Sequence, residues 1–434
     1  MIEYVTRRQI LQGGSVLGLS ALGLGLAGCG GSSGGQGKIR YVGYVESQQQ
    51  LKATRTAIEQ YQKAHSKVTA TTEFSDFSSY VDKITTQISG GNPPDMMSAN
   101  VDILSEYAGR GVLRELDSYN PGQINLADYA KGSVGAAQFD GKLYGIPNDV
   151  VGPTVIYNTD MLHQLGLKMP SEMCTWDDLA NTAKAVAKAA GKGTYGIEDG
   201  SAAHIALDVY LRPNKKIFFA KDGKLGFEAS DLIRWLNYWK DLREAGAIPP
   251  AATQAQSSSG DLSKTLLIRN KAAMLLQLTD SWFGLQALTP HKLGLHMLPN
   301  GFSKADLRQQ NFVYAGNMTC ISTKSHSASD IIALIKYLHT DPQGSSIFYK
   351  DTGIIPASAE ARQTVLSSGS KTTRTLINYL APLIKNSAEP RHSGPTEIND
   401  ILQRTSDAVA FGRQSVQDAA TGFFKDAAQV YKNR

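Results

Sequence analysis

A chain of 434 residues is too long for one ordinary hydrophobic core, so two domains are expected. Hydrophobic residues at 41% and charged residues at 19% describe a soluble globular protein and exclude a disordered one. The formal charge of +5 is small for this length, and Lys and Arg are scattered rather than gathered into the basic stripe that nucleic acid requires, so no nucleic-acid partner is expected.

Residues 1–28 have the three-part layout of an export signal: Arg7 and Arg8, an apolar run from Ile10 to Ala27, and small residues before Cys29. Gly13, Gly14, Gly18, Gly23 and Gly25 interrupt the run. Each glycine weakens a helix by about 1 kcal/mol relative to alanine, and the run is near the minimum spanning length, so it makes a poor membrane span. "TRRQILQ" resembles the twin-arginine export motif but departs from it at Thr6, Ile10 and Gln12, which leaves that route and the Sec route both open. "LAGC" (26–29) resembles a bacterial lipobox, which implies a lipid on Cys29. Two acyl chains suffice for stable anchoring, each buried methylene contributing about 0.8 kcal/mol. Residues 29–37 would then be the lipidated cysteine and a flexible Gly/Ser tether. A chance cysteine in a cleaved peptide is the alternative. "GLGLAG" and "GSSGG" satisfy dinucleotide and nucleophile-elbow patterns, but neither has the required strand before it and helix after it.

After the tether, "KIRYVGYV" reads as a first strand and "QLKATRTAIEQYQKAH" as a helix, with Leu51, Ile58 and Tyr61 near helical spacing. "KVTATTEF" alternates as a second strand. "SSYVDKITTQIS" places Tyr80, Ile84 and Ile88 at four-residue steps before Gly90-Gly91 stops the helix. This order is the grammar of a parallel α/β sheet. Helices are expected again at "TWDDLANTAKAVAKAA", "DLIRWLNYWKDLREAG" and "SDIIALIKYLHT", the last stopped by Asp-Pro, and a strand or buried run at "KAAMLLQL". Three cysteines cannot form a disulfide framework. Cys174 and Cys320 are expected as buried thiols, with a bridge between them as the alternative.

"GGNPPDMM", "GVLRELDSY", "DGKLYGIP", "VIYNTDML" and "TWDDL" occur in this order, followed by "AAMLLQLTDSW", "NMTCISTKS", "GIIPA" and "AVAFGRQSVQDA". The set resembles the extracellular solute-binding proteins of sugar ABC transporters, from Lys38 to the C-terminus. The resemblance implies an α/β, two-lobed periplasmic-binding-protein fold with an interlobe ligand cleft and a hinge crossed near Asn148–Gly152, Tyr314–Gly316 and Gly353–Ala357. The N-terminal lobe would comprise 38–148 plus 316–353, and the C-terminal lobe 149–315 plus 354–434. It further implies a carbohydrate, in particular an oligosaccharide, as ligand, ABC permease subunits as membrane partners, a monomer held at the cell surface by its lipid, and no cofactor or metal.

A sugar offers hydroxyls around its edge and C–H groups on its faces, so its site needs aromatic platforms and in-plane polar groups. In open α/β sheets such sites lie beyond the carboxyl ends of strands. Trp282 follows a buried run where the family carries a stacking tryptophan. Tyr44, Glu46, Ser47 and Gln48 follow the first strand; Asn100 and Asp102 follow "PDMM". Asn148, Asp149 and Asn317 fall at hinge crossings, and Arg391 precedes the C-terminal helical region. Alternative roles are open: a core tryptophan, a core tyrosine, Asp102 as a helix cap, structural hinge carboxylates. Glu73, Asp76 and Tyr80 are candidates for the cleft edge. "RPNKKIFF" (212–219) replaces a glycine-rich turn of many relatives and has no functional reading. No H-E-x-x-H, paired-cysteine or P-loop motif occurs, so a binding protein rather than an enzyme is expected. The alternatives are an exported glycoside hydrolase and a same-fold receptor for a non-sugar solute.

Overall fold

The computed structural model describes residues 37–45, 47–257, 261–350, 352–386 and 392–433. Its strands, in chain order, are β1 (Lys38–Tyr44), β2 (Thr69–Ser75), β3 (Met96–Ala99), β4 (Gln138–Phe139), β5 (Lys142–Leu143), β6 (Gly145–Pro147) and β7 (Pro153–Asn158). They continue with β8 (Tyr195–Ile197), β9 (Ile217–Phe219), β10 (Leu225–Gly226), β11 (Ala272–Leu278), β12 (Leu293–His296) and β13 (Met318–Ile321).

Two sheets organise the two lobes. One has the order β2-β1-β3-β13-β6 and the other β12-β7-β11-β8. The expected parallel grammar holds for β1 with β2 and β3. It stops at β13, which runs antiparallel to both β3 and β6. The second sheet is likewise mixed, since β7 opposes both β11 and β12 while β11 runs with β8. A parallel partner must come in through a crossover on the same sheet. β13 follows β12 of the other sheet through residues 297–317.

The helices form where capping chemistry starts them. Asp76 accepts the Ser79 amide at 3.0 Å and opens the helix Phe77–Ser89, which ends at Gly90, with Gly91 at φ +75° beyond it. Thr175 and Asp178 make a reciprocal capping box for Trp176–Ala190. Asp341-Pro342 both ends Ala328–His339 and starts Pro342–Tyr349: Asp341 accepts the Gln343 and Gly344 amides, and proline at the first helical position surrenders no hydrogen bond. The helix expected at 231–246 is Ala229–Glu244.

In the second lobe, Trp176, Trp235 and Trp239 are almost completely buried. Trp176 meets Trp235 edge-on at 5.6 Å, and the Trp235 indole donates to the Ser201 carbonyl at 2.7 Å. Aromatic side chains carry 150–250 Å² each out of water, on the order of 4–6 kcal/mol of transfer free energy apiece as an upper bound. Cys174 and Cys320 are buried and free, so they are not bridged to each other. Burial pushes the Cys174 thiol up to about 12 and raises that of Cys320 as well. Among the described residues, no helix is long and apolar enough to cross a membrane.

Candidate functional site

The antiparallel strands decide where polar residues gather. Pairing Met318 with Ala99 and Pro147 puts the N-terminal end of β13 beside the C-terminal ends of β3 and β6. Pairing Leu278 with Pro153 does the same for β7 and β11. Residues entering some strands and leaving others therefore share one edge.

Three backbone segments lie side by side there. Residues 148–152 form the middle one. Val151 exchanges amide bonds with Tyr314 at 2.9 and 3.0 Å on one side, and the Val150 amide donates to the Ile355 carbonyl at 2.8 Å on the other. The Asn148 amide donates to the Asn317 carbonyl at 3.0 Å. The segments expected as crossings are thus neighbours in space.

They border a cavity of about 60 Å³, room for on the order of four waters. Tyr44, Asn148, Asp149 and Asn317 line it, together with Gln50, Thr279, Asp280, Gly316, Phe348 and the Gly353–Ile355 stretch. Asn148 is fixed by the Thr319 hydroxyl, which donates to its Oδ1 at 2.9 Å. Oδ1 of Asp149 accepts the Gly316 amide at 2.7 Å and the Asn317 amide at 3.0 Å. Burial, with Asp280 adding repulsion, pushes the Asp149 carboxyl up to about 7 even though these amides oppose the shift. Burial also raises Asp280. Thr279 links this floor to the middle segment by accepting the Gly152 amide at 3.2 Å.

Behind the cavity, the Tyr349 hydroxyl donates to the Asn148 carbonyl at 2.5 Å. Its one proton is then committed, so His339 Nδ1, 2.7 Å away, must donate to the phenol oxygen. Burial holds the His339 imidazole down to about 3, which keeps the ring neutral. In front, Tyr44 meets the Phe77 ring edge-on at 5.0 Å, and Phe77 is 45% exposed.

The remaining candidates do not line this cavity. Trp282 is 4% exposed and donates its indole hydrogen to the Leu293 carbonyl. It lies with Leu285 on the buried face of the short helix Ser281–Ala287, so the ring turns inward while Thr279 and Asp280 reach the cavity. Ser47 caps the helix Gln48–Ala64, and both Ser47 and Gln48 are exposed. Asn100, rather than Asp102, caps Val101–Gly109, accepting the Ile103 amide at 2.9 Å. Half-buried Asp102 follows in its first turn. Of the cleft-edge candidates, Glu73 pairs with Lys83, Asp76 is a cap, and buried Tyr80 donates to the Ser98 carbonyl. Arg7, Arg8, Cys29, Glu46 and Arg391 lie outside the described residues.

Sequence reasoning missed Gln50, Thr279, Asp280, Phe348 and Phe77. Gln50 was findable as the residue one turn into a helix that starts at the β1 edge; its amide nitrogen reaches the Thr352 carbonyl at 3.3 Å. Asp280 was findable because "LTDS" places an N-cap residue at the end of a strand.

The family model for bacterial extracellular solute-binding proteins matches residues 56–373. A maltooligosaccharide ABC transporter solute-binding lipoprotein of Streptococcus pneumoniae is 25% identical over 339 residues, 74% of each chain. An ABC substrate-binding protein of Listeria monocytogenes, solved with cycloalternan, superposes with a TM-score of 0.76 at 20% identity, over 92% of this chain and 100% of that one. A periplasmic solute-binding protein of Pectobacterium atrosepticum gives 0.80 at 18% identity, over 92% and 99%.

Proposed function

Because the chain belongs to the bacterial extracellular solute-binding protein family, we propose that it is the substrate-binding component of an ABC importer and that its ligand is a carbohydrate, in particular an oligosaccharide. The observation that carries this reading is the polar cavity at the meeting edge of the two sheets, lined by Tyr44, Gln50, Asn148, Asp149 and Asn317. The relative whose name specifies maltooligosaccharide and the neighbour solved with cycloalternan support the substrate class.

The lobes are 38–148 plus 316–353 and 149–315 plus 354–434, and the three adjacent segments are the hinge between them. Ligand entry takes place with the lobes parted, and contacts from both lobes then favour the closed form. Tyr44 and Phe77 supply the apolar face for a ring, while Asn148, Asn317 and Gln50 supply in-plane hydrogen bonds. Residues 1–28 are the export signal, with Arg7 and Arg8 as its twin-arginine pair. Cys29 carries the lipid that holds the monomer at the cell surface beside its permease. "Lipoprotein" in the name of the pneumococcal relative supports the anchor.

The test is calorimetric titration of the purified protein with mono- and oligosaccharides, with product analysis on the same samples. Saturable binding with unchanged sugar is expected. Cleavage would assign a hydrolase, and binding confined to non-sugar solutes would assign a different receptor. Mass spectrometry of the native N-terminus tests the anchor: an unmodified Cys29, or cleavage elsewhere, removes it.

A further inference from the structure

The cavity lining carries two carboxylates, Asp149 and Asp280, and no Lys, Arg or His among the described residues. Asp149 is 7% exposed. Its Oδ1 is held by the Gly316 and Asn317 amides, and Oδ1 of Asp280 by the Ser281 amide at 2.7 Å. Among the described residues, neither Oδ2 receives a hydrogen bond from the protein. A buried carboxylate, Asp149, and a half-buried one, Asp280, facing one small space are unfavourable unless a positive charge or a proton completes them. A sugar hydroxyl donates a single hydrogen bond and compensates neither charge. An ammonium group is water-sized, fits the cavity, and brings three donors and one positive charge.

We propose that this cavity receives a protonated amine of the ligand, with Asp149 and Asp280 as its charge partners, so that the transported solute is an amine-bearing carbohydrate. This rests on the carbohydrate-binding reading above and narrows it. The ring stays outside the cavity, against Tyr44 and Phe77, while the amine projects inward past Asn148 and Asn317. The titratable groups around Asp149 are Asp280 from the turn after β11, Tyr44 from the end of β1 and Tyr349 from Pro342–Tyr349. Arg362 donates to the Pro356 and Ala357 carbonyls. Since Asp149 is pushed up to about 7, amine affinity rises as pH increases toward 7 and the carboxyl ionises.

The experiment is calorimetry of the purified protein at pH 7 and pH 5.5. The probes are chitobiose, its fully deacetylated form, maltotriose, putrescine as an amine without a sugar, and calcium chloride alone. The deacetylated disaccharide is expected to bind about tenfold or more tightly than chitobiose at pH 7, and the preference is expected to shrink at pH 5.5. Asp280→Asn, checked for fold by circular dichroism, is expected to reduce the preference to under about threefold. Asp149→Asn is the second variant if the first misfolds. Equal affinity for the two disaccharides overturns the amine site while leaving sugar binding intact. Putrescine binding with no response to any sugar keeps the charge site and overturns the carbohydrate reading. Calcium binding that no amine displaces overturns the proposal in favour of a metal ion, and silence from every amine probe also overturns it.

Discussion

Arg212 lays its guanidinium over the ring of Phe312, 4.2 Å from the centroid, while its Nη2 donates to Asp208 Oδ2 at 2.8 Å. Asp208 in turn accepts the Phe218 amide at 2.7 Å. This accounts structurally for "RPNKKIFF": the turn brings a buried cation onto the segment that pairs through Tyr314 with residues 148–152. Arg212→Ala leaves Asp208 buried without its charge partner. A loss of about 3–5 kcal/mol is expected, read as a fall in Tm by calorimetry. Arg212→Lys is expected to recover only part of it, because an ammonium cannot stack as a plane.

Tyr349→Phe removes the donor to the Asn148 carbonyl and the acceptor for His339 Nδ1 together. Both partners are buried, so a destabilisation of about 1–3 kcal/mol is expected. Urea unfolding would register it as a lower midpoint at unchanged slope. Because Asn148 borders the cavity, ligand affinity should fall as well.

Asp149 gives the protein a pH dependence of defined sign. Its folded carboxyl titrates at about 7, above the unfolded value near 3.9. The folded state therefore binds the extra proton, and stability falls as pH rises between those values. Ligand-free protein is expected to have a higher Tm at pH 5 than at pH 7.5 from this group. Asp149→Asn should flatten that slope by an amount of order a few kcal/mol. An unchanged slope in the variant would locate the effect elsewhere.

Trp282 is buried, so its truncation is a packing lesion. Trp282→Ala is expected to destabilise by about 3–5 kcal/mol. Trp282→Phe, which keeps most of the volume, should lower Tm while leaving sugar affinity within about twofold at 15 °C. A selective loss of affinity at unchanged Tm would put the ring on the ligand.

Phe77 is exposed beside Tyr44 and invites the opposite pattern. Phe77→Ala should barely move Tm and should weaken oligosaccharide binding by about 1 kcal/mol or more, measured by calorimetry. Equal affinities would exclude it as a platform.

The elements were legible where local chemistry decides them. The runs around Val42 and Met274, the spacing of Tyr80 and Ile84, and the Gly90-Gly91 stop all became the expected strands and helix. Strand direction was not legible, because nothing within "NMTCIS" records which neighbours it pairs with or which way they run. The site followed the same division. Asn148, Asp149 and Asn317, singled out at the crossings that the family resemblance implies, do line the cavity. Asp280 was missed beside the more conspicuous Trp282, since a step of two residues, from the N-cap into the helix, separates a side chain lining the cavity from one facing the core. Phe77 is apolar and exposed, a property that depends on what packs around it.

The middle position of residues 148–152 has a mechanical result. A joint made of one strand could swivel about a few soft torsions. In the proposed hinge the central ply is bonded to a neighbour on each side, so turning one lobe against the other would shear or twist three backbones together, as in a laminated spring. Substitutions on any ply, including Tyr314 and Ile355 far along the chain from Asn148, would alter the same stiffness.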